Sequence, residues 1–276
     1  MLSYCSPGKN TTRVFTCFDY DSLIAIADAF NKWKGELCSK NSCIRVSKIK
    51  GVKNLSKEQL YNAIKSKLMN LCGDEYCWAD LDFVNSITNQ KIKEQIKHFT
   101  FKPKGTANAK TWLNTDNINQ VVRQYERLVN EQEGKYTFKF LGAQPSDIYK
   151  VIHVDYYELK TKYSQIAIVF NNDTHLQKGS HWLAVFIDNN QRTIEYFDSL
   201  GKLPNKYIKK FLDKFKGYSA TYNRIEHQRG SNACGVYACY FIIQKLKGKT
   251  FNEINARLIT DGMMIKYRGE LFRPFQ

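Results

Sequence analysis

Four residues, His181, Asp198, Gln228 and Cys234, have the types that thiol-dependent acyl transfer uses. The polar, turn-rich run Arg229-Gly-Ser-Asn232 delivers Cys234 to the mouth of an apolar run, Val236 to Ile243, with Gly235 between them. A run apolar on every side, followed by Gln244, Lys245 and Gly248, reads as a buried helix. Cys234 then lies in its first turn, where unpaired backbone N–H groups and the macrodipole favour a thiolate. With a base nearby in space such a thiol is a nucleophile. Taken alone it is equally a small apolar residue of a core.

The base has a candidate upstream. Gln165–Phe170 and Trp182–Ile187 are β-branched and aromatic runs bounded by polar turns, and both read as buried strands. His181 stands immediately before the second. After the turn Asp188-Asn-Asn-Gln191 comes a third run, Thr193–Phe197, with Asp198 directly behind it. The Asn-rich turn predicts a hairpin, which puts His181 and Asp198 at one end of the sheet. There an acid can hold a histidine's ring and tautomer. Singly, the histidine is more often structural and the aspartate more often a turn former; the ordered set says more than its members. Gln228, on the stretch feeding Cys234, has an amide that can donate to an oxyanion together with the Cys234 N–H, or it is a plain loop residue.

The series Gly179-Ser-His-Trp182, Tyr196-Phe-Asp-Ser-Leu200 and Gln228-x5-Cys234-Gly235 resembles the adenain/SUMO-protease clan of cysteine proteases, whose order is His-Trp, Asp or Asn, Gln, Cys-Gly. Thr111-Trp-Leu-Asn-Thr-Asp-Asn-Ile118 is similar to the segment that opens the SUMO-protease catalytic domain. The ending, Leu258 to Arg273, and the general layout are similar to the polyprotein-protease branch found in African swine fever virus and giant viruses. This resemblance implies His181 as general base, Asp198 as its orienter, Cys234 as nucleophile and Gln228 as oxyanion donor. It implies Trp182, Trp112 and Gly235 as substrate-binding positions, Trp182 covering a narrow channel for Gly-Gly. Ala233 departs from the Asp that SUMO proteases usually carry there, a departure that favours the viral branch. The implied activity is cleavage after Gly-Gly in a viral capsid or core polyprotein, in the host cytoplasm and the virion, with no cofactor. A protease of SUMO or ubiquitin conjugates, and a non-catalytic basic scaffold binding DNA or core proteins, are the alternatives.

Composition is consistent with that frame. At 276 residues, 43% hydrophobic and 14% aromatic, the chain can fill a sizeable core. No run approaches a membrane span and the first residues lack a signal-peptide stretch, so a soluble chain in a reducing compartment is expected, its eight cysteines thiols. Cys38, Cys43, Cys72 and Cys77 are a weak zinc candidate, their four-residue gaps looser than those of most zinc knuckles; free thiols, or redox pairs that close when a virion meets oxidising conditions, are the other readings. The net charge of +16 allows DNA as a secondary partner, although its basic residues are dispersed and no nucleic-acid motif is present.

The fold these elements predict is α+β: a papain-like core of mixed sheet on the Cys234 helix, preceded by a helical domain. Residues 1–100 read as helical: Asp21 caps Leu23–Phe30, Ser56-Lys-Glu-Gln59 is a capping box, and further stretches pass through Trp78 to Val84 and Lys91 to Ile96. Their expected role is substrate engagement or support of the core. Residues 101–110, with Pro, Gly and small polar residues, mark a linker, and 111–276 the catalytic domain. Within it Pro204–Phe215 reads as a helix with Pro in its first turn.

Overall fold

The structure is a computed structural model describing residues 4–8, 15–33, 37–39, 42–44, 47–69, 71–106, 108, 110–133 and 137–273. The chain forms two compact units, Met1–Lys102 and Pro103–Gln276.

The first unit runs α1 (Tyr20–Lys32), β1 (Leu37–Ser39), β2 (Ser42–Ile44), α2 (Lys57–Leu68), α3 (Glu75–Trp78), α4 (Asp82–Asn85) and α5 (Gln90–Glu94), which continues into a π turn over Gln95–Phe99. The Ser56/Gln59 capping box forms as its spacing predicts. At α1 the cap is Asp19, whose carboxylate accepts from the Ser22 N–H, not Asp21. The helix starts earlier because the Asp19 carbonyl accepts the Leu23 N–H at 3.1 Å, closing the first turn over Tyr20. The antiparallel pair β1/β2 was not expected; three-residue strands are too short to show an alternating pattern. Leu23, Ile26, Leu60, Ile64 and Trp78 fill the core, with Phe18 stacked on Trp78 at 5.8 Å.

The expectation of eight thiols is corrected here. Cys5 is bonded to Cys17 and Cys72 to Cys77. The second bond uses two of the sulfurs that a four-cysteine zinc site would need; the side chains of Cys38 and Cys43 lie outside the described residues. Buried Glu75 sits between the bonds, accepting from Thr16 Oγ1 at 3.1 Å and from the Cys17 N–H at 3.2 Å.

The second unit is a five-stranded mixed sheet between two helical layers. Its elements are α6 (Thr115–Glu133), β3 (Phe138–Pro145), α7 (Tyr156–Lys162), β4 (Gln165–Asn171), β5 (Trp182–Asp188), β6 (Thr193–Phe197), α8 (Lys206–Leu212), β7 (Ser219–Tyr222), α9 (Cys234–Leu246), α10 (Phe251–Asn255) and α11 (Asp261–Leu271). The strand order is 3-4-5-6-7; the outer pairs are parallel and the two inner pairs antiparallel. β4 and β5 are buried on both faces, which is why they read as continuous apolar runs. One face packs α6, α9 and α11 around Phe186, Phe197, Tyr237 and Phe241. The other packs α7 and α8 around Phe170, Tyr196 and Phe211. Helix α9 is apolar all round because it lies inside this core. Pro204 stands outside α8, whose cap is Asn205, accepting from the Tyr207 and Ile208 N–H groups. The segment read as a linker is tied to α11: Arg273 and Gly105 exchange backbone bonds with Pro103 and Arg273, and Arg268 donates to Thr106 Oγ1 and to the Thr111 carbonyl.

Candidate active site

Antiparallel pairing sets Asn171 opposite Trp182 and Ala184 opposite Phe197. The residue before β5 and the residue after β6 therefore meet at one end of the sheet. They are His181 and Asp198, joined Nε2 to Oδ1 at 2.6 Å. Asp198 is buried and held on two further sides: its Oδ1 accepts the Leu200 N–H at 2.9 Å, and its own N–H donates to Asn223 Oδ1 at 2.8 Å. With Nε2 committed to Asp198, the other ring nitrogen is the one left for Cys234. Burial works against a charge on His181, but the hydrogen bonds with Asp198 and Cys234 outweigh it and raise its pKa to about 9.

Cys234 opens α9, behind an N-cap residue, Ala233, that offers no side-chain cap; the Val236 N–H bonds the Ala233 carbonyl at 2.8 Å, and the cap side chain does not compete for the Cys234 and Gly235 N–H groups beside the sulfur. It is a free thiol, as is Cys239. Cys239 lies deeper in the helix with no exposure, and burial pushes its thiol up to about 12. A cleft of about 520 Å³ is walled by His181, Asp198, Gln228, Cys234 and Trp112 among others. A neighbouring hollow of about 560 Å³ shares Trp112, Ser180 and His181 with it and adds Trp182. Trp112 is half-exposed, whereas Trp182 is buried and donates its indole N–H to the Leu113 carbonyl at 2.8 Å. Gly235 lies beneath this wall. A Cβ there would come within 3.0 Å of Leu113 Cβ and 3.3 Å of Trp182 Cδ1, so its visible part is close packing under the two side chains.

Gln228 is fixed at both ends of its amide. Ser199 Oγ donates to its Oε1 at 2.7 Å, and its Nε2 donates to the Ser231 carbonyl. The surrounding loop is anchored to α11 through Asp261, which accepts from Ser231 Oγ at 2.6 Å, from the Arg229 N–H at 3.0 Å and from the Tyr237 hydroxyl at 3.0 Å. His227, kept below the ordinary imidazole range by burial, accepts the Ile259 N–H on Nδ1 and meets Asn255 through Nε2. Sequence reasoning missed Ser199, Asn223, His227 and Asp261. The signal for Ser199 was adjacent to Asp198, but its partner is 29 residues away.

Residues 137–275 match the Ulp1 protease family, C-terminal catalytic domain. A protein of Acanthamoeba polyphaga mimivirus named as a thiol protease is 30% identical over 99% of this chain and 94% of its own length. The cysteine protease of African swine fever virus, in some isolates named SUMO-1 cysteine protease, is 26% identical over 86% of this chain and 93% of its own. The crystal structure of an African swine fever virus protease superposes with a TM-score of 0.65 at 20% identity, over 98% of this chain and 96% of that one, a likeness of fold.

Proposed function

The chain belongs to the Ulp1 protease family and is a cysteine protease, and from that premise we propose that Cys234 is the nucleophile, His181 the general base and acid, Asp198 its orienter and Gln228 an oxyanion donor. The observation that carries this is the His181–Asp198 bond at 2.6 Å in the wall of the cleft that Cys234 also lines. The Cys234 thiolate adds to the scissile carbonyl carbon, and the oxygen takes the charge, facing the Gln228 amide and the Cys234 N–H. Collapse breaks the C–N bond as His181 gives its proton to the leaving amine. Water then adds to the thioester with His181 taking its proton, and the acid product leaves Cys234 as it began.

The substrate in this reading is a viral capsid or core polyprotein cut after Gly-Gly, met in the host cytoplasm or the virion. The viral source of both relatives and the order of the motifs support it. DNA is a secondary partner, supported only by the charge of +16. Among the described residues no helix is long and apolar enough to cross a membrane.

The test is hydrolysis of a Gly-Gly-Ala peptide by the wild type, Cys234→Ala and Cys239→Ala, with iodoacetamide labelling mapped by mass spectrometry. Expected are turnover and a label on Cys234 in the wild type, no turnover in Cys234→Ala, and retained turnover in Cys239→Ala. Turnover that survives in Cys234→Ala and is lost in Cys239→Ala would overturn the assignment. Faster cleavage of a folded SUMO conjugate than of the peptide would move the substrate, with the chemistry unchanged.

A further inference from the structure

Ser199 is the residue after Asp198, on the turn that leaves β6, and it is almost fully buried. Its backbone carbonyl accepts the N–H groups of both His227 and Gln228, at 2.8 and 2.9 Å. Its hydroxyl donates to Gln228 Oε1 at 2.7 Å. A primary amide has one acceptor end and one donor end, and the two ends differ little in shape, so packing alone does not choose which faces a cleft. Here the choice is made chemically. The Ser231 carbonyl accepts only from the nitrogen and so sets the orientation, and the Ser199 hydroxyl, which can donate or accept, then donates to the oxygen and holds that end. One Nε2 hydrogen is spent on Ser231, and the other is left for an acceptor in the cleft that Gln228 lines.

We propose that Ser199 is a positioning residue for the oxyanion site: its hydroxyl anchors the oxygen end of the Gln228 amide, whose nitrogen the Ser231 carbonyl orients. The proposal rests on the reading of Gln228 given above. Without the hydroxyl, Oε1 is buried and has lost its donor, a state that favours displacement of the side chain from its working position. The carbonyl chemistry then loses a donor aimed at the developing negative oxygen, while the Asp198–His181–Cys234 set keeps its own bonds.

Two reactions of the same sulfur separate these effects. Peptide hydrolysis passes through an oxyanion; alkylation by iodoacetamide displaces iodide and forms none. In Ser199→Ala, kcat for the Gly-Gly-Ala peptide is expected to fall ~10–100-fold, up to the loss seen when an oxyanion donor is deleted. KM and the iodoacetamide rate of Cys234 are expected to stay within about twofold of wild type, since neither uses the oxyanion. Ser199→Thr, which restores a hydroxyl, is expected to recover turnover. Adding Ser199→Ala to Gln228→Ala is expected to cost nothing more, because the group being positioned is already gone. Wild-type turnover in Ser199→Ala beside an impaired Gln228→Ala would overturn the proposal. So would losses that multiply in the double variant, or an alkylation rate that falls with hydrolysis, which would mark a general disturbance of the turn. Wild-type turnover in Gln228→Ala would remove the reading of Gln228 itself, and the role of Ser199 with it.

Discussion

His181 carries its proton against its own burial, and the sign of that balance predicts two pH dependences. Its pKa in the fold, about 9, lies above the ordinary 6.5. The stability gained from the protonated ring is therefore complete below pH 6.5 and lost as pH rises through 9. Asp198→Asn removes the carboxylate that holds the proton there. The gap in melting temperature between wild type and variant should be widest below pH 6.5 and close above pH 9. In the wild type the alkaline limb of kcat/KM should fall near pH 9, as His181 loses the proton meant for the leaving amine; in Asp198→Asn that limb should move to lower pH and kcat drop ~10²-fold. An alkaline limb unmoved by the substitution would detach Asp198 from the proton on His181. At this scale the sequence displayed the proposed reacting groups but not their supports. Cys234, His181, Asp198 and Gln228 stand out by type and order, whereas Ser199, Asn223 and Asp261 act through bonds to residues 24 or more positions away. Local pattern carries no information about such pairings.

Periodicity located β5 and α9 well because each lies deep in the core, where apolar runs are long, and β6 by its alternation of half-buried and buried residues. It failed at edges. Asp19 displaced Asp21 as a cap because its carboxylate reaches the Ser22 N–H while its carbonyl accepts from Leu23, and α8 starts after Pro204 because the Asn205 side chain reaches two N–H groups. Gly235, two positions beyond its helix's N-cap, bears on how α9 sits against the wall of the cleft. An alanine in a helix ordinarily gains about 1 kcal/mol over glycine. In Gly235→Ala the new methyl meets Leu113 and Trp182 at 3.0–3.3 Å, and overpacking of that kind costs about 1–3 kcal/mol. The variant should be no more stable than the wild type by thermal denaturation despite the helix gain, and its peptide turnover should fall because Trp182 is displaced. A melting temperature raised by the full helix contribution would show that Leu113 and Trp182 yield without cost.

The two compact units differ in the state of their sulfur. In the first, Cys5–Cys17 and Cys72–Cys77 are bonded; in the second, Cys234 and Cys239 are free. A compartment inferred from the absence of a signal stretch favoured thiols; the Cys72–Cys77 bond falls on the alternative of redox pairs, whereas Cys5–Cys17 carried no signal, because contact between sulfurs depends on the fold and not on cysteine count. Opening the Cys5–Cys17 link by the double substitution Cys5→Ser/Cys17→Ser should lower stability by about 3 kcal/mol, mainly by freeing the unfolded chain. Peptide hydrolysis, whose proposed residues all lie in the second unit, should persist in that variant; a parallel loss of turnover with the fold intact would count against their sufficiency. For anyone handling this enzyme the sulfur pattern has a practical edge. Dithiothreitol added to keep Cys234 nucleophilic also acts on the links of the first unit. A melting curve recorded with the reductant and one recorded without it would then describe two covalently different molecules, even where both preparations give the same turnover number.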